Sequence, residues 1–181
     1  RDYKVTGVQT CALPILGHAM IAAWIRWTAR ADEVWLVPTF RHAFEKRLAP
    51  WEDRVEMARR LATALGDWCR VETVEAELPV PSYTVRTLEV LAGRNPHAQL
   101  ALVVGADVAE QLGAWKDVDR LLARFPLIRV GREGYPPVPD APTFPDLSST
   151  EVRNRVAGRL PVGHLVPEKV LEWIEARGLY G

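Results

Sequence analysis

The sequence predicts an α/β fold, in the form of a Rossmann-like, doubly wound parallel sheet with flanking helices. Two observations predict it: short apolar runs typical of buried strands alternate with amphipathic helical stretches, and glycine or polar residues follow the runs. The clearest runs cover residues 34–37, 99–104 and 126–130. Because ligands of such sheets bind beyond the carboxyl ends of the strands, we expect a functional site in the loops that follow these runs.

Helical periodicity and helix-breaking residues predict the other elements. The strongest helix covers residues 51–65, where apolar residues recur on one face. The last helix covers residues 168–177, between a proline that starts it and Gly178 that ends it. Further helices are predicted over residues 19–29, 84–94, 108–112, 115–124 and from the turn at Ser148 to about Gly158, with a strand over 70–76 and loops over 39–50 and 131–145.

Length and charge bound the class of protein. A chain of 181 residues is long enough to bury the core of one domain. Lys plus Arg and Asp plus Glu number 23 each, so the net charge favours neither nucleic acid nor an anionic membrane as a partner. The sequence contains no apolar run that could cross a bilayer. Cys11 and Cys69 lack the spacing of a metal site or a disulfide, which predicts a cytoplasmic protein.

The first fifteen positions read differently from the rest of the chain. Residues 1–15 show no signal-peptide arrangement and only a faint strand pattern. A back-translation of them resembles a short-read sequencing adaptor. We therefore predict that residues 1–15 are a non-native segment in place of the natural amino terminus, and that residues 16–181 form the natural domain. The first strand of the sheet would then be replaced.

The stretch from Ser148 to Arg153 carries the strongest functional signal. Three hydroxyl residues, Ser148, Ser149 and Thr150, precede an acidic residue and an apolar periodic run, which indicates the start of a helix. The first amides of a helix have no intrahelical partner and bind phosphate readily. Arg153 adds a guanidinium whose geometry matches phosphate oxygens. The alternative is an ordinary helix cap, with Arg153 in solvent.

Other segments along the chain strengthen the functional interpretation. They include Val34-Trp35-Leu36-Val37-Pro38, Arg54-Val55-Glu56-Met57-Ala58, Ser82-Tyr83-Thr84-Val85-Arg86-Thr87-Leu88, Val104-Gly105-Ala106-Asp107 and Trp115. In order and spacing, these segments and the Ser148 turn resemble the bacterial nicotinate-nucleotide adenylyltransferases of the nucleotidylyltransferase superfamily. The resemblance implies a fold of the nucleotidylyltransferase type and transfer of AMP from ATP to nicotinate mononucleotide, which gives deamido-NAD and pyrophosphate. It also implies Mg²⁺ bound through the triphosphate, with no metal site built by the protein.

The resemblance implies three catalytic residues. Gly17 and His18 match the second half of the family's H-x-G-H phosphate loop, where His18 would hydrogen-bond the triphosphate and help carry charge at the reacting phosphorus. Lys46, in the loop after the first predicted strand, would counter phosphate charge, and nearby His42 is a weaker candidate. Arg153 would hold the ATP phosphates together with Ser148, Ser149 and Thr150.

Further positions match the family's binding residues for the two nucleotides. For ATP these are Gly105 and Asp107, whose carboxylate would accept hydrogen bonds from ribose hydroxyls. For the mononucleotide they are Thr84, Thr87, Trp115 and Arg132. Thr84 would hydrogen-bond the nicotinate carboxylate, Trp115 would stack on the pyridine ring, and Arg132 would face phosphate. The residues alone leave local roles open: helix capping for the threonines and for Asp107, and core packing for the tryptophan.

The chain departs from the family pattern at both nucleotide subsites. Ile15 occupies the position of the first histidine of the phosphate loop, and Thr10-Cys11-Ala12-Leu13 replaces the nucleotide-binding turn. We therefore predict little or no turnover of this polypeptide, because a phosphate donor and a central strand are missing. In the segment beside the mononucleotide, Arg86 stands where many members carry Asp.

Three other functions compete with the adenylyltransferase. They are another nucleotidylyltransferase, such as the phosphopantetheine type, a nucleotide-binding module without catalysis, and a purely structural α/β domain. The transferase ranks first because charge-bearing loops converge on one predicted edge of the sheet. A homo-oligomer is left open.

Overall fold

The computed structural model describes residues 4–11, 13–28, 30–41 and 48–181. The strands are β1 Lys4–Cys11, β2 Glu33–Pro38, β3 Cys69–Val71, β4 Ala98–Gly105, β5 Leu127–Arg132 and β6 Thr143–Phe144. The α-helices are α1 Leu16–Trp27, α2 Trp51–Leu65, α3 Thr84–Arg94, α4 Ala106–Ala109, α5 Val118–Arg124, α6 Ser149–Ala157 and α7 Glu168–Ala176. Two short 3₁₀ helices cover Val74–Glu77 and Leu112–Ala114.

The strands form a six-stranded sheet in the order β3-β2-β1-β4-β5-β6, and each neighbouring pair runs parallel. The strand order reverses between β1 and β4, which is where open α/β sheets bind their ligands. The predicted doubly wound parallel sheet is therefore confirmed.

Helices cover both faces of the sheet. Apolar residues of α2, α6 and α7 pack in one core cluster around Leu36, and α1 packs in a second around Val34 and Val103. Residues of α3 and α5 form a third cluster with Trp35 and Val37. Because alternate residues of a strand point to opposite faces, α3 and α5 lie on the face opposite to α1, α2, α6 and α7.

The central strand of the sheet is β1, so the expectation that this strand is missing is wrong. It pairs with β2 along residues 6–11 and with β4 along residues 4–8. Ladder hydrogen bonds join main-chain groups, so a segment with a faint side-chain pattern can still complete a sheet. Gly7 allows β1 to pack closely at this point, because a Cβ there would lie 3.3 Å from the Val103 side chain. That residues 1–15 are non-native stays a prediction, which sequencing the locus upstream of Leu16 would test.

Two elements differ from the sequence predictions. The strand predicted over residues 70–76 ends at Val71, because Val74–Glu77 form a 3₁₀ helix that buries Val74 and brings the Glu75 carboxylate to the Phe40 N–H and the Thr87 hydroxyl. The loop predicted over residues 131–145 contains β6, which pairs with Gly131 and Arg132. That pairing needs glycine, since a Cβ at Gly131 would lie 2.9 Å from the Pro142 carbonyl oxygen.

In the part of the chain that the structure describes, no helix combines the length and the apolar composition that a bilayer crossing requires.

Candidate active site at the carboxyl edge of the sheet

The turn between β1 and α1 presents His18 in the first turn of α1. The main-chain N–H of Ile15 donates a hydrogen bond to Nδ1 of His18 at 3.2 Å. Burial, together with the positive charge of Arg132, lowers the pKa of His18 to about 4. The ring is therefore neutral near pH 7, and because Nδ1 accepts a hydrogen bond, its proton is on Nε2. His18 is thus a neutral donor in this structure, and its expected role at the reacting phosphorus stays a prediction.

Arg132, at the end of β5, connects three loops of the site. Its Nη1 forms an ion pair with the carboxylate of Asp107, which follows β4. Its Nε and Nη2 donate to Oδ1 of Asp146 at 2.9 and 2.6 Å, and Nη2 also donates to the Leu147 carbonyl at 3.4 Å. Here the guanidinium faces two carboxylates, and its expected contact with phosphate stays a prediction.

Gly105 and Asp107 form the turn from β4 into α4. A Cβ at Gly105 would lie 2.5 Å from Oδ1 of Asp107, so the glycine makes room for the carboxylate to fold back over the strand end. The side chain of Asp107 forms no helix cap, since α4 is capped by Gly105 without a side-chain hydrogen bond. The carboxylate instead holds the β5 end through Arg132.

The predicted helix start at Ser148 is confirmed. Ser148 is the N-cap of α6, and its Oγ accepts a hydrogen bond from the Glu151 N–H at 3.0 Å. Ser149 donates from Oγ to the Leu13 carbonyl at 3.1 Å, which fastens the start of α6 to the turn after β1. Arg153 lies one turn further and donates from Nη2 to the hydroxyl of Thr150 at 3.0 Å.

These contacts bring one group of the predicted residues together. Gly17 lies beside the α6 turn, since a Cβ there would be 3.8 Å from the Leu147 Cβ, and the charge of Arg132 acts on His18. The turn after β1, the ends of β4 and β5 and the start of α6 therefore form one rim. The predicted residues on this rim are Gly17, His18, Gly105, Asp107, Arg132, Ser148, Ser149, Thr150 and Arg153.

The residues predicted for the mononucleotide lie at the same edge of the sheet, around the start of α3 and after β4. Thr84 is the first residue of α3 and is half-buried, and the N-cap Tyr83 forms no side-chain cap bond. Trp115 is half-buried against the core cluster that α3 and α5 share. Thr87 is only 1% exposed and its hydroxyl donates to Oε1 of Glu75 at 3.1 Å, so in this structure it belongs to a buried polar contact.

Comparison with known proteins agrees with this geometry. Residues 13–155 match the family model described as cytidylyltransferase-like. A relative from Anaeromyxobacter dehalogenans, named a probable nicotinate-nucleotide adenylyltransferase, is 48% identical over 169 residues, which cover 92% of this chain and 90% of the relative. The nicotinate-nucleotide adenylyltransferase of Bacillus subtilis is 35% identical over 176 residues, with 92% of both chains covered.

The chain belongs to the nicotinate-nucleotide adenylyltransferase family.

Solved structures of this family share the fold. A Plasmodium falciparum nicotinic acid mononucleotide adenylyltransferase complexed with NaAD superposes with a TM-score of 0.82 at 15% identity, covering 98% of both chains. A putative nicotinate-nucleotide adenylyltransferase from Vibrio parahaemolyticus gives 0.73 at 19% identity, covering 98% of this chain and 95% of that one. At these identities the two superpositions show a shared fold and nothing about substrates.

Three further positions of the family pattern complete the comparison with the predicted site. Lys46 and His42 lie outside the described residues, so their place in the site stays a prediction. Ile15, where the family carries the first histidine of the phosphate loop, is 3% exposed and packs in the core cluster of α2, α6 and α7. Its side chain therefore supplies no donor to the rim.

Three charged residues near the site received no role from the sequence. Arg54 is 4% exposed and donates to the carbonyls of Ala49, Thr39 and Phe40, and Glu75 is 3% exposed. The position of Arg54, a charged residue on the inward face of a predicted helix, could have indicated a buried structural role. No sequence feature indicates such a role for Glu75. Asp146 gives a weaker signal, a carboxylate just before a helix cap.

The described residues contain no group of three or more His, Cys, Asp or Glu side chains placed to hold a metal ion.

Proposed function

We propose that this chain transfers AMP from ATP to nicotinate mononucleotide, forming deamido-NAD and pyrophosphate. The observation that carries the proposal is the meeting of His18 with the α6 amino terminus at one rim, where Ser149 is bound to the turn after β1. The names of the relatives support the same substrates. Among the alternatives, a nucleotide-binding module without catalysis is the one that the buried Ile15 favours.

The α6 amino terminus is the proposed site for the ATP phosphates. Its first amides have no intrahelical partner, and the helix dipole adds partial positive charge there. The Ser148 hydroxyl oxygen accepts from the Glu151 N–H, which leaves its proton free to donate outward. Arg153 and Lys46 would each add positive charge.

The reaction needs positioning and charge neutralisation more than an enzyme nucleophile. A phosphate oxygen of the mononucleotide would bond to the α-phosphorus of ATP as the bond from that phosphorus to the bridging oxygen breaks. The bridging oxygen keeps the electron pair and leaves with pyrophosphate. His18 would donate from Nε2 to a phosphate oxygen that gains charge in this step. Phosphate binding would raise its pKa, because a nearby negative charge favours the imidazolium.

The mononucleotide would bind between the start of α3 and the loop after β4. Thr84 would contact the nicotinate carboxylate, and Trp115 would stack on the pyridine ring. Thr87 acts on this subsite through Glu75, since its hydroxyl is bound there. Arg132 would reach phosphate only by releasing Asp146, whose side chain is the more exposed of its two carboxylate partners.

Mg²⁺ would enter as part of the ATP substrate, held through the triphosphate. Its chemistry would be to neutralise phosphate charge in the transition state. A homo-oligomer and a cytoplasmic location stay predictions.

The test measures pyrophosphate release with ATP and each of three acceptors: nicotinate mononucleotide, nicotinamide mononucleotide and phosphopantetheine. The parent chain, expected to be slow, is compared with Ile15→His, which replaces the missing donor, and with a chain carrying the family's G-G-S-F-N-P-P-H-x-G-H segment. Release with nicotinate mononucleotide from the restored chain would support the proposal. Preference for phosphopantetheine would contradict it, and ATP binding without release from any chain would favour the binding module. Equal rates with and without the restored segment would refute the predicted impairment.

A further inference from the structure

Glu75 is a buried carboxylate that contacts neither substrate in the reaction proposed above. It lies in the 3₁₀ helix after β3, with 3% of its surface exposed. Oε2 accepts from the Phe40 N–H at 2.9 Å, and Oε1 accepts from the Thr87 hydroxyl at 3.1 Å. The Ser82 hydroxyl also bonds to this carboxylate, and the charge of Arg54 acts on it. A buried charge is costly unless it is paired and hydrogen-bonded, and each oxygen of Glu75 is satisfied in this way.

The donors to Glu75 belong to two segments that it holds together. Phe40 follows the end of β2. Ser82 lies just before α3, and Thr87 lies in its first turn. The same two segments also bond directly: the Ser82 N–H donates to the Arg41 carbonyl at 2.9 Å, and the Arg41 N–H donates to Ser82 Oγ at 3.2 Å. Glu75 is therefore the joint between the exit of β2 and the first turn of α3.

The ATP side of the rim is held by different contacts. The start of α6 is bound to Leu13, and the ends of β4 and β5 are joined through Arg132. None of these contacts involves Glu75 or its partners. A change at Glu75 should therefore shift the α3 side of the site and leave His18, Arg132 and the start of α6 in place, so that Lys46, in the loop after Phe40, is the one predicted phosphate residue near the change.

We infer that Glu75 is a positioning residue for the mononucleotide subsite, holding the first turn of α3 and its Thr84 against the exit of β2. The inference rests on the proposed function, because Thr84 is a mononucleotide contact only in that reaction. The negative charge of Glu75 lets this one side chain accept hydrogen bonds from donors on both segments at once. A glutamine in its place keeps one acceptor oxygen for the Phe40 N–H, and its NH₂ can donate to the Thr87 hydroxyl, which also accepts. The hydrogen bonds to both segments then lose their negative partner and become weaker, neutral ones.

The experiment compares Glu75→Gln with Glu77→Gln, a matched control from the same 3₁₀ helix. Glu77 is exposed and pairs with Arg94 on the surface. The dissociation constants of nicotinate mononucleotide and of ATP are measured separately by calorimetry, so that no turnover is needed. For Glu75→Gln we expect mononucleotide binding to weaken about tenfold, the difference between a hydrogen bond to a charged group and one to a neutral group, and ATP binding to weaken by less. Hydrogen exchange of the Phe40 amide should accelerate in Glu75→Gln and not in Glu77→Gln.

Equal weakening of both ligands, or of neither, would overturn the inference, and so would unchanged exchange at Phe40. If Glu75→Gln does not fold, Thr87→Val and Thr87→Ser provide the same comparison from the other side of the contact. Valine removes the hydroxyl and should weaken the mononucleotide more than serine, which keeps it, while equal effects would count against the inference. If the parent chain itself binds no nicotinate mononucleotide, the proposed function fails at that measurement, and the Phe40 exchange still decides whether Glu75 holds the two segments.

Discussion

The lowered pKa of the half-buried His18 makes a quantitative prediction for the pH dependence of stability. In the folded protein its pKa is about 4, against an ordinary value of 6.5. The unfolded chain therefore binds a proton at His18 in a pH range where the folded chain does not. The free energy of unfolding is fully retained above about pH 6.5 and decreases as the pH falls toward about 4.

The size of the effect follows from the shift. Each pKa unit corresponds to about 1.4 kcal/mol, so the His18 contribution approaches about 3 kcal/mol below about pH 4. Between about pH 7 and about pH 5 it amounts to about 2 kcal/mol, which urea denaturation resolves. The comparison variant is His18→Gln, because Gln at this helix position can still accept from the Ile15 N–H.

The measurement is the difference between the parent and His18→Gln in the free energy of unfolding, taken across this pH range. Burial raises the pKa of Glu75, which also titrates as the pH falls. Because Glu75 is present in both the parent and His18→Gln, its contribution cancels, and the difference in the free energy of unfolding reports His18. The substitution His164→Gln, on an exposed histidine, controls for the loss of an imidazole as such. Parallel pH profiles of the parent and His18→Gln would refute the assignment of a neutral ring with a lowered pKa to His18.

Three further predictions concern single contacts. Thr6 lies on the Leu100 face of β1, and its Oγ1 is buried without a hydrogen-bond partner among the described residues, so Thr6→Val should raise the free energy of unfolding by about 1 kcal/mol in urea denaturation. Asp146→Asn should release Arg132 and strengthen pyrophosphate binding about two- to fivefold at low salt, measured by calorimetry. Ser148→Ala removes the acceptor at the α6 N-cap and should lower the free energy of unfolding by about 1 kcal/mol, again in urea.

Each of these has an outcome that contradicts it. A destabilised Thr6→Val would mean that its hydroxyl has a partner in solution. If pyrophosphate binding by Asp146→Asn equals that of the parent at low salt, Arg132 does not serve phosphate; a gain that persists at high salt would point away from charge as its cause. An unchanged stability in Ser148→Ala would show that the cap contributes nothing to α6.

Much of the fold could be predicted because its signals are local. The helix over residues 51–65 was predicted from its apolar periodicity, the cap at Ser148 from three consecutive hydroxyl residues, and the buried strand over 99–104 from an uninterrupted apolar run. Propensity, periodicity and capping each depend on residues within a few positions of one another, so one sequence suffices to predict them.

The site was predictable in outline for a related reason. In a parallel sheet every loop that follows a strand emerges at the same edge, so the alternation of strands and helices by itself brings the loops of Gly17, Gly105 and Ser148 to one rim. The sequence alone also determined the family, through the order and spacing of these loops.

Only the tertiary structure decided which polar groups meet across that rim. Nothing near Arg132 in the sequence shows that Asp107 and Asp146 share its guanidinium, and nothing near Thr87 shows that its hydroxyl is bound to Glu75. The same holds for β1, whose place at the centre of the sheet depends on main-chain bonds to β2 and β4. These partners are far apart along the chain, so they meet only after the sheet has formed, and burial then makes each unpaired polar group costly.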